Sequence, residues 1–283
     1  MAISATEVAK LRKMTGAGLM DCKKALEESG GDYDQAVSII RKKGQLIADK
    51  RADREASEGC VIAKVSTDNA KGVLAVLSCE TDFVAKGTDF IKFTEDVANA
   101  ALQAGSTTID AVKALTVNNI SVAEGVEEKM AVIGEKIELT FFESLEAAQV
   151  VAYIHPGNKL ACLVGFNKVV ADDAGRNIAM QVAAMAPVAV DKESVPENVK
   201  AKELEIATDQ AANDPKNAGK PAQLIEKIAQ GKLEKFFKEM TLVNQDYIKG
   251  QDYKGGKLTV ADYLKTVDTD LKVTKFVRFS LAV

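Results

Sequence analysis

The residues with the clearest chemical purpose lie in one short connection, TDFVAK at residues 81–86. There Asp82 stands beside a large aromatic residue, Phe83, with a lysine close behind. A phenylalanine in a connection either packs under its own domain or is offered to another protein, where aromatic anchors carry much of the binding energy. Phe90 and Phe93 already have the spacing to hold the next helix on the body, so the packing of that helix does not need Phe83. This connection therefore predicts protein binding.

Catalytic chemistry has little to build on in this chain. His155 is the only histidine, and it precedes Pro156-Gly157 in a predicted turn, so a nucleophile would have to be paired with this one residue. Asp82 and Asp89 could ligate Mg²⁺, but two carboxylates without a phosphate-binding loop make a weak site. An enzyme that uses Cys79 as its nucleophile is the least favoured functional class, because acids at positions 80 and 82 would raise the pKa of this thiol. We predict no catalytic residue, no metal site, no cofactor and no enzymatic activity.

Two elements must position the TDFVAK connection. Before it, GVLAVLSC at residues 72–79 is an apolar run that predicts a buried strand. After it, DFIKFTEDVANAALQAG has apolar residues at helical spacing and predicts an amphipathic helix. The connection is therefore expected to be a strand-to-helix corner.

The same order of elements occurs twice. The first unit reads CVIAKVS, GVLAVLSC, a helix over about residues 88–104, and a closing strand KIELTFFESL. The second reads VVAYIH, KLACLVGF, a helix over about residues 171–185, and TKFVRFSLAV. Both closing strands alternate apolar and polar residues, which predicts one buried and one solvated face. We expect two similar α+β subdomains, each a three-stranded antiparallel sheet with helices packed on one face.

The duplication also indicates which residues of the TDFVAK corner the fold requires. Where the first unit has TDFVAK, the second has NKVVADD, which lacks the acid–aromatic pair. The fold therefore does not require Asp82 and Phe83, and we expect them to serve function.

Three short helices are predicted at the N-terminus. Ser4 and Glu7 form a capping box ahead of the first helix, and TGAG ends it. LMDCKKALEES is the second helix, and the third runs from a cap at Asp32 to Gly44. We interpret residues 44–58 as a short helical turn and then a charged linker, so that this module would be tethered to the body. Its pattern is similar to the ubiquitin-associated type of binding module.

Each unit carries an insertion before its closing strand. Residues 106–133 predict two helices in the first unit, and an antiparallel helical hairpin is predicted at residues 195–240 of the second. We divide the chain into a helical module with its linker at residues 1–54, a core N-subdomain at 55–145, and a core C-subdomain at 146–283 that includes the hairpin.

Composition restricts the partners and the compartment. The 283 residues are 47% hydrophobic, and the net charge of −4 argues against direct binding of nucleic acid. No apolar run approaches the roughly 20 residues that span a bilayer, and no signal peptide is apparent. The four scattered cysteines predict buried free thiols and a cytoplasmic location.

TDFVAK, together with LRKMTGAGLMDCKKALEESGGDYDQAVSIIRKKG near the N-terminus, closely resembles the elongation factor Ts family. The resemblance extends over nearly the whole chain. It implies a guanine-nucleotide exchange factor for the GTPase elongation factor Tu, with the second insertion as a coiled-coil hairpin. Whether that hairpin makes a two-to-two complex is left open. Some members have a helical tail beyond the last strand, and we expect that contact to be absent here.

The resemblance also implies which residues meet the partner. Thr81, Asp82, Phe83 and Val84 match the motif that displaces Mg²⁺ from the GTPase. Further contacts are implied for Arg12, Leu19 and Met20 of the N-terminal module, and for Ile133 and His155 of the body. From the residues alone, a protein-binding scaffold or adaptor without exchange activity is the alternative.

Overall fold

The computed structural model describes residues 3–51, 53–252 and 258–281. Three helices open it, α1 (Ala5–Thr15), α2 (Leu19–Glu28) and α3 (Tyr33–Lys50). The predicted capping box is confirmed: the Glu7 amide donates to Ser4 Oγ at 3.2 Å, and the Ser4 amide donates to the Glu7 carboxylate at 2.7 Å. Gly16 then ends α1 in a left-handed conformation. These helices enclose a small apolar core of their own.

The predicted end of the third helix is wrong. α3 continues through Gly44 to Lys50 and packs against α7 (Val122–Ile133) of the body. A Cβ atom on Gly44 would lie 2.7 Å from the Glu127 carbonyl oxygen, so this glycine permits a close helix crossing where the prediction had a helix stop. Arg41 Nε bonds Glu128 Oε1 at 3.0 Å in the same interface. The module is therefore packed on the body, and the predicted tether is wrong.

The duplicated unit is confirmed in the two sheets. One sheet has the order β1 (Glu58–Val65), β2 (Lys71–Cys79) and β5 (Ile137–Glu146), and the other β6 (Gln149–Ile154), β7 (Leu160–Phe166) and β8 (Val273–Ser280). All neighbouring strands are antiparallel. The helices α5 (Thr88–Ala104) and α8 (Asp172–Met185) follow the two central strands and cover one face of each sheet. The fold is α+β, as predicted.

The other faces of the two sheets pack against each other. Val61, Leu74 and Val76 of the first sheet share one buried apolar cluster with residues of the second sheet, Val150, Ala161 and Leu163. Glycines in the two central strands permit this approach. A Cβ atom on Gly72 would lie 2.8 Å from Val150 Cγ1, and one on Gly165 would lie 2.8 Å from Leu145 Cδ2. The sequence did not predict this contact.

The closing strand of the first unit follows its predicted alternation only in part. Buried and exposed residues alternate through Thr140. Beyond it, Phe141 and Phe142 lie on opposite faces and belong to two different apolar cores. Sheet-on-sheet packing therefore covers Phe141 and Leu145 on the second face of this strand, while Glu143 and Glu146 remain exposed.

The remaining elements are mostly helical. Residues 106–133 form the two predicted helices, with a small unpredicted hairpin between them: α6 (Ile109–Lys113), β3 (Thr116–Val117), β4 (Ile120–Ser121) and α7. The other helices are α4 (Asp82–Ala85), α9 (Glu197–Asn213), α10 (Ala222–Met240) and α11 (Val260–Val267), with 3₁₀ turns at Pro215–Asn217, Leu242–Asn244 and Gly250–Asp252. α9 and α10 form the predicted antiparallel hairpin. No helix in the described ranges is long and apolar enough to cross a membrane.

The close α3–α7 crossing predicts that Gly→Ala changes the free energy of unfolding in opposite directions at Gly44, which lies in the crossing, and at Gly231, which does not. Gly44→Ala should lower the free energy of unfolding by about 1–3 kcal/mol, because the new methyl group meets backbone and not a movable side chain. Gly231→Ala, in α10, is the matched control, since no atom lies within 4 Å of its Cβ position. It should stabilise the chain by up to about 1 kcal/mol through helix propensity. Urea unfolding measures both, and equal stabilisation would contradict the close crossing.

Candidate functional site

The strand-to-helix corner presents Phe83 to solvent. β2 ends at Cys79, Thr81 has extended backbone, and Asp82 opens the single turn of α4. The Phe83 side chain is 86% exposed. Its neighbours Val84 and Ala85 face the other way and pack on the core of the first unit. The prediction that Phe83 does not belong to the core is confirmed.

Two carboxylates fix the backbone of this corner. Glu135 accepts two bonds from Thr81, from the amide at 3.0 Å and from the hydroxyl at 2.7 Å. Glu80 accepts a bond from the Lys136 amide at 2.6 Å and pairs with Arg51 at 2.5 Å. The amide bond, and then Arg51, lower the pKa of Glu80. The corner is therefore tied to the connection that leads into β5.

Sequence reasoning missed both of these carboxylates. Glu135 lies 54 residues from its partner, and Glu80 precedes the motif without any local pattern that would mark it. The chain topology alone brings them to Thr81 and Lys136.

Asp82 is ionised and solvated. Its carboxylate pairs with Lys86 one turn later at 2.6 Å, and this contact lowers its pKa. The Lys86 side chain is largely exposed and the Asp82 side chain partly exposed, so the pair contributes little to stability. In the described chain, no group of three or more His, Cys, Asp or Glu side chains could hold a metal ion.

The body residues implied by the resemblance lie near this corner. Ile133 is half-buried at the end of α7, two residues before Glu135, and lines a groove of about 470 Å³ with Met14 of α1. His155 is exposed in the β6–β7 turn, with Nδ1 3.0 Å from Tyr153 Oη. Lys159 of the same turn is near enough to lower the pKa of Asp82.

The remaining residues lie apart, on the N-terminal module. Arg12 is exposed on α1. Leu19 and Met20 are adjacent exposed apolar residues in the first turn of α2. The structure thus has two candidate contact regions, one at the corner and one on the module.

Comparison with known proteins gives a consistent result. The family model described as elongation factor TS matches residues 80–282. Proteins named elongation factor Ts from Christiangramia forsetii and Flavobacterium psychrophilum are 52% and 48% identical, each over 99% of this chain and 98% of its own length. The protein of that name from Porphyromonas gingivalis is 45% identical over 99% of both chains.

The state of the cysteines tests the alternative of an enzyme that uses Cys79 as its nucleophile. All four thiols are free and buried. Burial, followed by the charge of Glu135, raises the pKa of Cys79 to about 12. The predicted direction was right, but the predicted cause, Glu80 and Asp82, was wrong. Burial likewise raises the pKa values of Cys60 and Cys162 to about 12. A reactive thiolate at Cys79 is therefore disfavoured.

Thiol labelling at pH 8 tests this conclusion. A pKa near 12 in place of 9.0 reduces the thiolate fraction of Cys79 roughly a thousand-fold. Native protein should therefore react slowly at Cys79, and the other cysteines should also react slowly because they are buried. Denatured protein should react rapidly. Phe83→Cys supplies a positive control, because that position is exposed. If Cys79 is labelled as fast as a thiol at position 83, the conclusion is wrong.

Proposed function

This chain belongs to the elongation factor Ts family, and on that premise we propose that it is the guanine-nucleotide exchange factor for elongation factor Tu in translation elongation. It binds the GDP form of that GTPase, displaces the bound Mg²⁺ and promotes release of GDP. It then holds the nucleotide-free form until GTP binds. The observation that carries this proposal is the exposed Phe83 on a fixed corner.

Linkage explains how such a protein works without a chemical step. If the exchange factor weakens the affinity of the GTPase for GDP by some factor, bound GDP weakens the affinity of the GTPase for the exchange factor by the same factor. Mg²⁺ on the partner neutralises the phosphate charge, so its loss lowers the affinity for GDP. The role assigned to Thr81, Asp82, Phe83 and Val84 is to disturb that ion. The exchange factor itself needs neither a cofactor nor a metal.

The exposure of Phe83 supports its role as the anchor. Burying a phenylalanine side chain stabilises a protein or complex by about 1.5–3 kcal/mol. Phe83 is exposed in the free chain, so this stabilisation is available only when a partner pocket buries it. At the matching corner of the second unit the exposed residue is Val169, a smaller side chain. The larger anchor is therefore confined to one unit.

The other contacts follow from the same premise. Arg12, Leu19 and Met20 of the module and Ile133 and His155 of the body are proposed to meet the same GTPase. We retain the division at residues 1–54, 55–145 and 146–283 as units of function, although α3 packs the first on the second. The protein is proposed to act in the cytoplasm, without binding nucleic acid or membrane directly.

Replacement of Phe83 tests the proposal. Phe83→Ala should reduce the second-order rate of GDP release from elongation factor Tu by roughly 30-fold, as expected for an interface anchor worth about 2 kcal/mol. The free energy of unfolding should change by less than about 0.5 kcal/mol, because the side chain is exposed. A fluorescent GDP analogue reports the release rate.

Val169→Ala is the matched control for that experiment. It shortens an exposed apolar residue at the equivalent corner, 79% exposed, and should leave exchange unchanged. Wild-type protein that binds elongation factor Tu without accelerating release would support the adaptor alternative. A large loss of stability in Phe83→Ala would show that the residue serves the fold.

The hairpin is proposed to be auxiliary to exchange, because it is inserted in the second unit while the corner belongs to the first. Its base is part of the body: Val195 and Phe237 are buried together with Ala189. Its outer part exposes apolar side chains, namely Leu204, Ile206 and Leu224. Those residues are available to a second chain in a two-to-two complex.

A truncation that spares the base tests this role. Replacing residues 204–231 with a short Gly/Ser linker should keep most exchange activity, since loop closure changes slowly in free energy with length. The mass of the complex with elongation factor Tu, measured by light scattering, should fall if the hairpin joins two copies. Exchange that falls as far as in Phe83→Ala, with the fold intact, would make the hairpin part of the exchange machinery.

A further inference from the structure

We propose that Glu135 is a positioning residue for exchange, one that holds the Phe83 corner ready before the partner arrives; this inference rests on the proposed function. It accepts the two bonds described above, at 3.0 and 2.7 Å, from the residue that opens α4. Bonds to a carboxylate are roughly twice as strong as neutral ones. Two of them in parallel fix the direction in which the turn leaves the strand.

The hydroxyl of Thr81 gives the first argument. Thr81 is the N-cap of α4, and an N-cap threonine usually accepts a bond from an amide of the following turn. Here that capping bond is not made, and the hydroxyl donates to Glu135. The side chain therefore anchors the turn to the body and leaves the turn itself uncapped. Without Glu135, only the packing of Val84 and Ala85 and the backbone bonds of a single turn would hold this four-residue helix.

The end of β2 and the connection before β5 each donate hydrogen bonds to the other. Thr81 donates to Glu135, and the next residue along, Lys136, donates its amide to Glu80 at 2.6 Å. We call these four residues the clasp. Because the end of β2 and the connection before β5 each donate to the other, they cannot separate without losing all these bonds together.

The second unit contains an equivalent arrangement. Asn167 follows β7, as Glu80 follows β2, and accepts from the Lys272 amide at 2.7 Å. Lys168 then pairs with Asp268 at 2.9 Å. Both units thus join the end of the central strand to the segment before the closing strand, and we call Asn167, Lys168, Asp268 and Lys272 the second clasp. Only in the first unit does the clasp support an exposed aromatic residue, so the same kind of change in the second unit is a control for stability.

Positioning makes a specific kinetic prediction. Most proposed contacts, on the module and the body, are unaffected when Glu135 is changed, so the complex should still form. The unfastened corner must then be ordered as Phe83 enters its pocket, which slows the step after binding. Glu135→Ala should lower the maximal GDP-release rate at saturating protein roughly ten-fold, with a smaller change in the half-saturating concentration.

Two further variants separate the bonds from the bulk of the side chain. Glu135→Gln keeps the shape and one oxygen acceptor, and should have an intermediate rate. Thr81→Val removes the hydroxyl, and the double variant with Glu135→Ala should lose less than the sum of the two single losses, because both changes remove the same bond. Asp268→Ala, in the second clasp, should leave the maximal rate unchanged.

Amide hydrogen exchange gives a readout that does not depend on the partner. The Thr81 amide should be protected in the wild-type chain and exchange faster in Glu135→Ala. Wild-type protein that fails to accelerate GDP release would refute the proposed function, while this readout still tests the clasp. An active wild type with an equally active and equally protected Glu135→Ala variant would overturn the positioning role. An equal loss of rate in Asp268→Ala would overturn it as well.

Discussion

The face-to-face contact of the two sheets is the constraint on which the rest of this structure depends. Val61, Leu74 and Val76 meet Val150 and Leu163 in a cluster that is almost wholly buried. Glycines in both central strands leave no Cβ atom at two points where a side chain of the other unit lies within 3 Å of the Cβ position. Since helices cover the outer faces, both central strands are buried on two sides, which is why they appear in the sequence as continuous apolar runs.

The core under the first unit and the clasp together explain why the corner can expose a phenylalanine. Val84 and Ala85 secure one side of the α4 turn in the core of the first unit. The clasp secures its backbone through Glu135 and Glu80. The turn therefore keeps one geometry without burying Phe83, and preorganised groups lose less entropy when they bind.

Local patterns in the sequence predicted local structure well, and missed whatever depends on distant contact. The capping box at Ser4, the helical hairpin and the repeated order of elements all have short-range signals. The prediction at Gly44 was wrong because the sequence does not distinguish a glycine that permits close helix packing from a glycine that ends a helix. Glu135 was invisible for another reason: a single carboxylate among charged neighbours acquires its role only when the chain brings Thr81 to it. The role in exchange proposed for Phe83 rests on family resemblance, while its exposure could be argued from the unit that lacks it.

The course of α3 connects the two candidate contact regions. This helix leaves the N-terminal module, crosses α7 at Arg41 and Gly44, and is followed by Arg51, which pairs with Glu80 of the clasp. A flexible tether would let the module and the corner find the partner independently, with an effective concentration set by its length. Contacts at three successive points fix their separation instead. If the module docks on the GTPase as proposed, this fixed separation would restrict where Phe83 can go, and the geometry of α3 would then contribute to recognition of the partner.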